Sequence, residues 1–448
     1  MKKSKIYLVS IGVFILAASF IISKYSTEQK KKASITYAIL DRKGPSAETE
    51  EWKLTRSRAM NLYKAILTNP DDTKSMLALA GMFVQEARVT GNYTHYDMAA
   101  MKYINDVLKK DTANFEALTI KSLLYLSQHH FADGLAIAEK AKNINPYNAF
   151  VYGILVDGNV EMGMYKEAVE HSDKMVSIRP DIRSYSRISY LREIYGDYPG
   201  AIESMKMAIS AGAPGDENTE WCRIQLGKLY EHIGDTANAS VQYYISMQER
   251  PAYAYAIAGM ARIAAVQKNY PKSISFYLQA DSLITDYSFK EELVDIYRLT
   301  GDNEKATTLA KEIIAAMSKD ASKGNQDDNI GHYADQELAY AYLKVNNYDK
   351  ALYHAMQEYN RRPENIDVNE TMAWVYYNNN DFVKALPYIK VALKTNSKNP
   401  RLLCRAGLIF YKTGDIKMAK SLLESGLKNN PVMAESLQTA SNDALKNI

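Results

Sequence analysis

The chain of 448 residues carries 47% hydrophobic and 24% charged residues, an ordinary balance for a folded protein. Its 55 Lys and Arg stand against 52 Asp and Glu, for a net charge of +3. Because the two signs are interspersed, the basic face that nucleic-acid binding needs is not visible, and no nucleic-acid partner is expected.

In chain order, Met1 to Lys5 is short and basic, and Ile6 to Ile22 is an uncharged run of 17 residues. That run sits at the lower edge of what spans a bilayer as a helix. Ala17-Ala18-Ser19 offers a cleavable small-residue step, while Phe20-Ile21-Ile22 carry the apolar run past it. Residues 1–23 therefore read as a signal-anchor or a signal peptide, with membrane contact through residues 6–22. A short basic tail before such a run directs export of the residues C-terminal to it. This places the rest of the chain outside the cytoplasm, or releases it entirely if the segment is cleaved. A cytoplasmic-facing orientation is the alternative, since lysines flank both sides of the run. Residues 24–48 are polar and basic and read as a tether. Residues 49–72 hold one amphipathic helix, with Trp52, Leu62, Tyr63 and Ile66 on its apolar face and Asn69-Pro70 at its end.

From there the chain repeats itself. Ala149 to Asp181 reads as two short helices: Gly163 closes the first, because only glycine turns left-handed without steric cost, and Pro180 stops the second, because it lacks an N–H. Small residues, where two helices cross closely, recur as Gly134, Ala168, Ala201, Ala239, Ser273, Ala306, Ala351, Ala385 and Ala419, at steps of 34, 33, 38, 34, 33, 45, 34 and 34. A ring precedes many of them, as Phe131, Tyr165, Tyr198, Tyr270, Tyr348 and Phe382. Gly-Asp pairs fall in phase at Gly196, Gly234, Gly301 and Gly414. In these markers the chain resembles the tetratricopeptide repeat (TPR) family. The resemblance implies an all-α fold: a right-handed superhelical solenoid of about ten TPR-like helix-turn-helix units over residues 73–433, with an N-terminal apolar helix and a capping helix at 434–448. Cys222 and Cys404, five repeats apart, are expected to be free thiols on helices.

Two insertions interrupt the period, Ala211 to Gly215 and Lys319 to Asn329. Both are rich in glycine or polar residues and read as tolerated surface loops. The seven histidines include no His-Glu-x-x-His pair and no cysteine–histidine metal spacing. His129-His130 reads as turn surface. Neither a phosphate loop nor a nucleophile elbow is present, and the repeats leave no room for a catalytic domain. The expectation is no enzyme, no cofactor and no metal.

Binding is what remains. The resemblance implies that the first helices of the units line a concave groove that holds a protein or peptide partner. At the groove positions, Arg183, Tyr190, Lys228 and Arg262 form a mixed aromatic and basic segment, and Tyr340, Trp374, Tyr377 and Tyr411 an aromatic one. Trp, Tyr and Arg are the residues that dominate protein–protein binding energy. The Lys and Asn set that clamps a terminal carboxylate in some family members is absent. Tyr297, Tyr342 and Tyr376, at a structural position of the repeat, are expected to pack inside the solenoid.

Overall fold

The computed structural model describes residues 13–14, 16–21, 23–24, 37–324, 331–428 and 432–448, with only the backbone of 322–324. Contacts divide the chain into residues 1–41 and 42–448. In the first unit the described parts of 13–24 are helical, with Phe14, Leu16 and Phe20 exposed. The remainder of the apolar run 6–22, and most of the tether, lie outside the described residues. Among the described residues no helix is long and apolar enough to cross a membrane.

The second unit is all-α. Twenty-two α-helices, from Glu50–Thr68 to Glu435–Lys446, and one 3-10 turn at Gly44–Ala47 make up its regular structure, with no strand among the described residues. Between the first and last helices stand ten antiparallel hairpins, from Thr73–Thr90 with Tyr93–Lys110 to Pro400–Lys412 with Ile416–Leu427.

Local chemistry explains the hairpin. In all ten, the residue two places before the second helix has positive φ: Gly91, His129, Gly163, Gly196, Gly234, Lys268, Gly301, Asn346, Asn380 and Gly414. In seven of the ten, the side chain of the next residue then caps the second helix. Asp197 accepts from the Gly200 amide at 3.0 Å, Asp235 from Asn238 at 3.0 Å and Asp415 from Met418 at 3.1 Å. The Gly-Asp pair thus ends one helix and begins the next in two residues. Where the helices cross, Ala168, Ala201, Ala239, Ala306, Ala351, Ala385 and Ala419 are fully buried. At Gly134 even a methyl would come within 2.9 Å of Leu126. Apolar clusters follow one another along the unit instead of forming one central core. Tyr376 is buried in the cluster around Ala385, and Tyr297 and Tyr342 pack partly buried against neighbouring clusters. Both cysteines are free and buried on helices.

One insertion departs from expectation. The helix Asn303–Gly324 runs through the first half of the stretch read as a loop. Met317 and Ala321 pack into the apolar cluster with Ile313, and this tertiary burial extends the helix past the polar residues beside it. Residues 325–330 lie outside the described residues.

Repetition does not announce the main tertiary feature. The hairpin turns of early units dock against the loops that join units six repeats later. The Thr285 amide donates to Thr90 O at 3.2 Å, and the Tyr333 amide to Gln128 O at 3.1 Å. Asn365 Nδ2 donates to Glu161 O at 3.0 Å, and the Ile366 amide to Tyr165 Oη at 2.9 Å. Arg362 pairs with Glu161 across the same boundary. Before the first hairpin, Glu51 bonds Arg250 at 2.9 Å. Six repeats thus complete one superhelical turn, and successive turns touch along a seam.

Candidate functional site

The first helices of adjacent units are laced by ion pairs. Asp157 meets Arg187 at 2.5 Å, Glu231 meets Arg262 at 3.0 Å, Asp295 meets Lys344 at 2.6 Å and Glu370 meets Arg405 at 2.7 Å. Partner separations of roughly one repeat put these charges one above another on a shared face. Arg262 is consumed by this ladder: besides Glu231, its Nη2 donates to Tyr243 Oη at 3.0 Å. Tyr340 belongs to it too, since its hydroxyl accepts from Arg405 Nη1 at 3.0 Å.

Where the seam crosses this face, a cavity of about 320 Å³ opens. His129, Phe131 and Glu161 line it from early units, and Gln336, Glu337, Tyr340, Arg362, Asp367, Glu370 and Arg401 from late ones. Burial pushes the Asp367 carboxyl up to about 6, with Glu370 adding to the shift. Burial also lifts Glu161 to about 7, against the pull of Arg362. Burial works against the Glu370 charge as well, yet Arg401 and Arg405 outweigh it and hold that carboxyl below its usual range. Two neighbouring acids in one cavity therefore sit on opposite sides of the ordinary value.

The remaining groove positions divide in two. Tyr190 is 39% exposed, and its hydroxyl is held protonated by burial and by the nearby Asp367 and Glu161 carboxylates. Lys228 lies 5.7 Å over the Trp221 ring, and burial followed by Arg262 lowers its ammonium. Arg183 is exposed and sits 4.9 Å over Phe150. Among the described residues, the Tyr190 hydroxyl, the Lys228 ammonium and the Asp367 carboxylate have no hydrogen-bond partner. At the C-terminal end the rings turn toward the protein itself. Trp374 stacks on Tyr377 with centroids 4.8 Å apart, and Arg405 lies 4.7 Å over the indole. Trp374, Tyr377 and Tyr411 pack against the cluster of Cys404, Leu408 and Leu437, to which the last helix contributes. Cys404 and Leu408, also groove positions by repeat phase, are buried in it.

His129 and His130 are not turn surface. Nδ1 of His129 donates to Tyr333 O at 3.0 Å, and Nε2 of His130 to Gly331 O at 2.5 Å. The His130 ring stacks on Tyr333 at 3.9 Å, and the His129 ring lies 4.3 Å from His332. Burial lowers His129 and His332 to about 4, so both imidazoles are neutral at pH 7.

No protein-family model and no curated protein matches the chain. Solved structures do align with it. A tetratricopeptide repeat protein from Parabacteroides merdae aligns at 15% identity and TM-score 0.41, over 54% of this chain and 91% of that one. The human IFIT1 dimer with PPP-AAAA aligns at 14% and 0.46, over 77% and 80%. Yeast Tom70 aligns at 13% and 0.36, over 88% and 93%. What decides the fold is the repeat itself: ten hairpins in register, each with a left-handed turn residue, seven with a side-chain-capped second helix and nine with a small crossing residue. The fold is a tetratricopeptide-repeat solenoid. In this TPR solenoid the ladder face carries ion pairs between adjacent first helices, and the Tyr190 hydroxyl feels the Asp367 and Glu161 carboxylates across the seam.

Proposed function

We propose that the protein is a scaffold that holds a protein or peptide segment against its ladder face and catalyses no reaction. The observation that supports this is the contrast on that face: Tyr190, Lys228 and Asp367 keep polar ends free beside the ion pairs that join adjacent first helices. Half-enclosed polar groups without partners in their own chain are groups a ligand can satisfy at little desolvation cost. The bound segment supplies an acceptor to Lys228 and a donor to Asp367, and its apolar parts lie on Tyr190. Arg183 extends the surface at one end. Arg262, Tyr340, Trp374, Tyr377 and Tyr411 hold its shape, and their outer edges supply the aromatic contact. The apolar run 6–22 supports tethering of the scaffold to a membrane, with the solenoid outside the cytoplasm. A photo-crosslinking amino acid at position 190, in the native cell, captures the partner. Tyr190→Ala with Lys228→Ala should weaken the capture at least tenfold in a chain with an unchanged helical spectrum. Partner binding that survives this double substitution rejects the surface.

A further inference from the structure

At the seam, one hairpin turn holds a histidine in the left-handed position. His129 has φ +62°, a conformation that strains a non-glycine residue. Six repeats on, His332 and Glu337 face it. One ligand atom from each of the three lies within 4.8 Å of the other two. Oε2 of Glu337 is buried with no hydrogen-bond partner. Two imidazoles and a carboxylate are a donor set for zinc-class cations rather than calcium or magnesium, which prefer all-oxygen shells.

We propose that His129, His332 and Glu337 bind one divalent zinc-class cation, which fastens one superhelical turn to the next. Tetrahedral bonds of about 2.0–2.1 Å bring ligand atoms to roughly 3.3 Å from each other, so small side-chain rotations close the site around the ion. The nearby positive charge is already neutralised: Arg362 pairs with Glu161 and Glu358, and Arg361 with Asp335 at 2.5 Å. The Tyr333 carbonyl beside His129 Nδ1 orients that ring, the role an outer-shell acceptor plays at metal-bound histidine. Three protein ligands leave a fourth position, and His129 and Glu337 both line the seam cavity, so that position opens on it. Sequence spacing hides the site because His129 stands some 200 residues before the other two ligands.

The full chain, stripped with a chelator, is titrated with zinc chloride by calorimetry and with cobalt chloride by visible absorption. The expected results are one zinc per chain with micromolar or tighter affinity, a tetrahedral cobalt spectrum, a rise in Tm and slower hydrogen exchange at the Tyr333 amide. His332→Ala and Glu337→Gln should each weaken binding at least tenfold, and His95→Ala should leave it unchanged. No stoichiometric uptake by the wild-type chain overturns the proposal. So does uptake that both variants retain, or an octahedral cobalt spectrum in the wild type, which needs no folded variant.

Discussion

The seam can be tested at Gly163. This residue has φ +78°, and a Cβ there would stand 2.4 Å from the carbonyl carbon and oxygen of Glu364 and 2.8 Å from the Asn365 nitrogen. Gly414 is its control: φ +90°, the same place in a hairpin, and nothing within 4 Å of the added carbon. In Gly414→Ala only the backbone responds. A left-handed alanine costs about 1–2 kcal/mol, partly offset by the smaller unfolded-state entropy of alanine, which leaves a loss of roughly 1 kcal/mol. In Gly163→Ala the facing loop must also retreat by about 1 Å to reach an ordinary contact. The bonds that loop makes across the seam go with it: Asn365 to Glu161 O, Ile366 to Tyr165 Oη, and the Arg362–Glu161 pair. At about 1 kcal/mol for each hydrogen bond, and more for the nearly buried arginine, the loss is roughly 4 kcal/mol. Urea denaturation gives the two losses, and solution X-ray scattering gives the radius of gyration. The first variant should lose about 4 kcal/mol more than the second, and its radius should grow. Equal losses with unchanged scattering would refute the docked seam.

Three further outcomes are expected. Tyr165→Phe removes the acceptor of the buried Ile366 amide and should cost about 1–2 kcal/mol, with faster exchange at that amide and unchanged exchange in hairpins away from the seam. Lys268→Gly relieves a left-handed lysine at φ +57° and should raise stability by about 0.5–1 kcal/mol; a loss would mean that the lysine side chain contributes more than its strain. Asp97 is 2% exposed, and burial raises its carboxyl to about 6 against the pull of Ser127 and Gln128. Its folded pKa is raised, so its contribution to stability is fully present below about pH 4 and is lost as pH rises through about 6, a loss on the order of 3 kcal/mol. Asp97→Asn should flatten that part of the stability-versus-pH curve. Parallel curves for variant and wild type would remove Asp97 as the cause.

What the sequence reveals is whatever the repeat enforces locally. Gly163 and Pro180 mark the ends of helices, Ala168 and its counterparts mark their crossings, and the Gly-Asp pairs carry both a helix stop and a cap. Each is a constraint within about 34 residues, so periodicity displays it. The groove positions are less legible. The repeat phase selects Tyr190 and Cys404 by the same rule, yet the first is 39% exposed and the second is buried under the last helix. Phase fixes which way a side chain starts from its helix, not what a terminal helix later lays over it. Arg262 shows the complementary difficulty. An arginine at a groove position suggests a ligand contact, but Glu231 in the preceding unit already takes it.

The seam is the least legible feature, because residues about 200 positions apart share no period. Two irregularities nevertheless mark it. At most turns glycine answers one demand, the backbone angle; at Gly91, Gly163 and Gly196 it answers a second, since a Cβ would strike the loop of the next turn at 2.2, 2.4 and 2.8 Å. His129 breaks that series within the same stretch of the seam, and Gly331-His332-Tyr333, shortly after the chain's longest insertion, dock on it. A bulky residue stands here where packing at the neighbouring seam turns demands glycine, and the segment facing it follows the longest insertion. Shortening the insertion without changing His129 should therefore open the seam at this point, and pairing the deletion with His129→Gly should restore it. The paired measurement is exchange at the Tyr333 amide, and failure of His129→Gly to rescue the deletion would separate the two features.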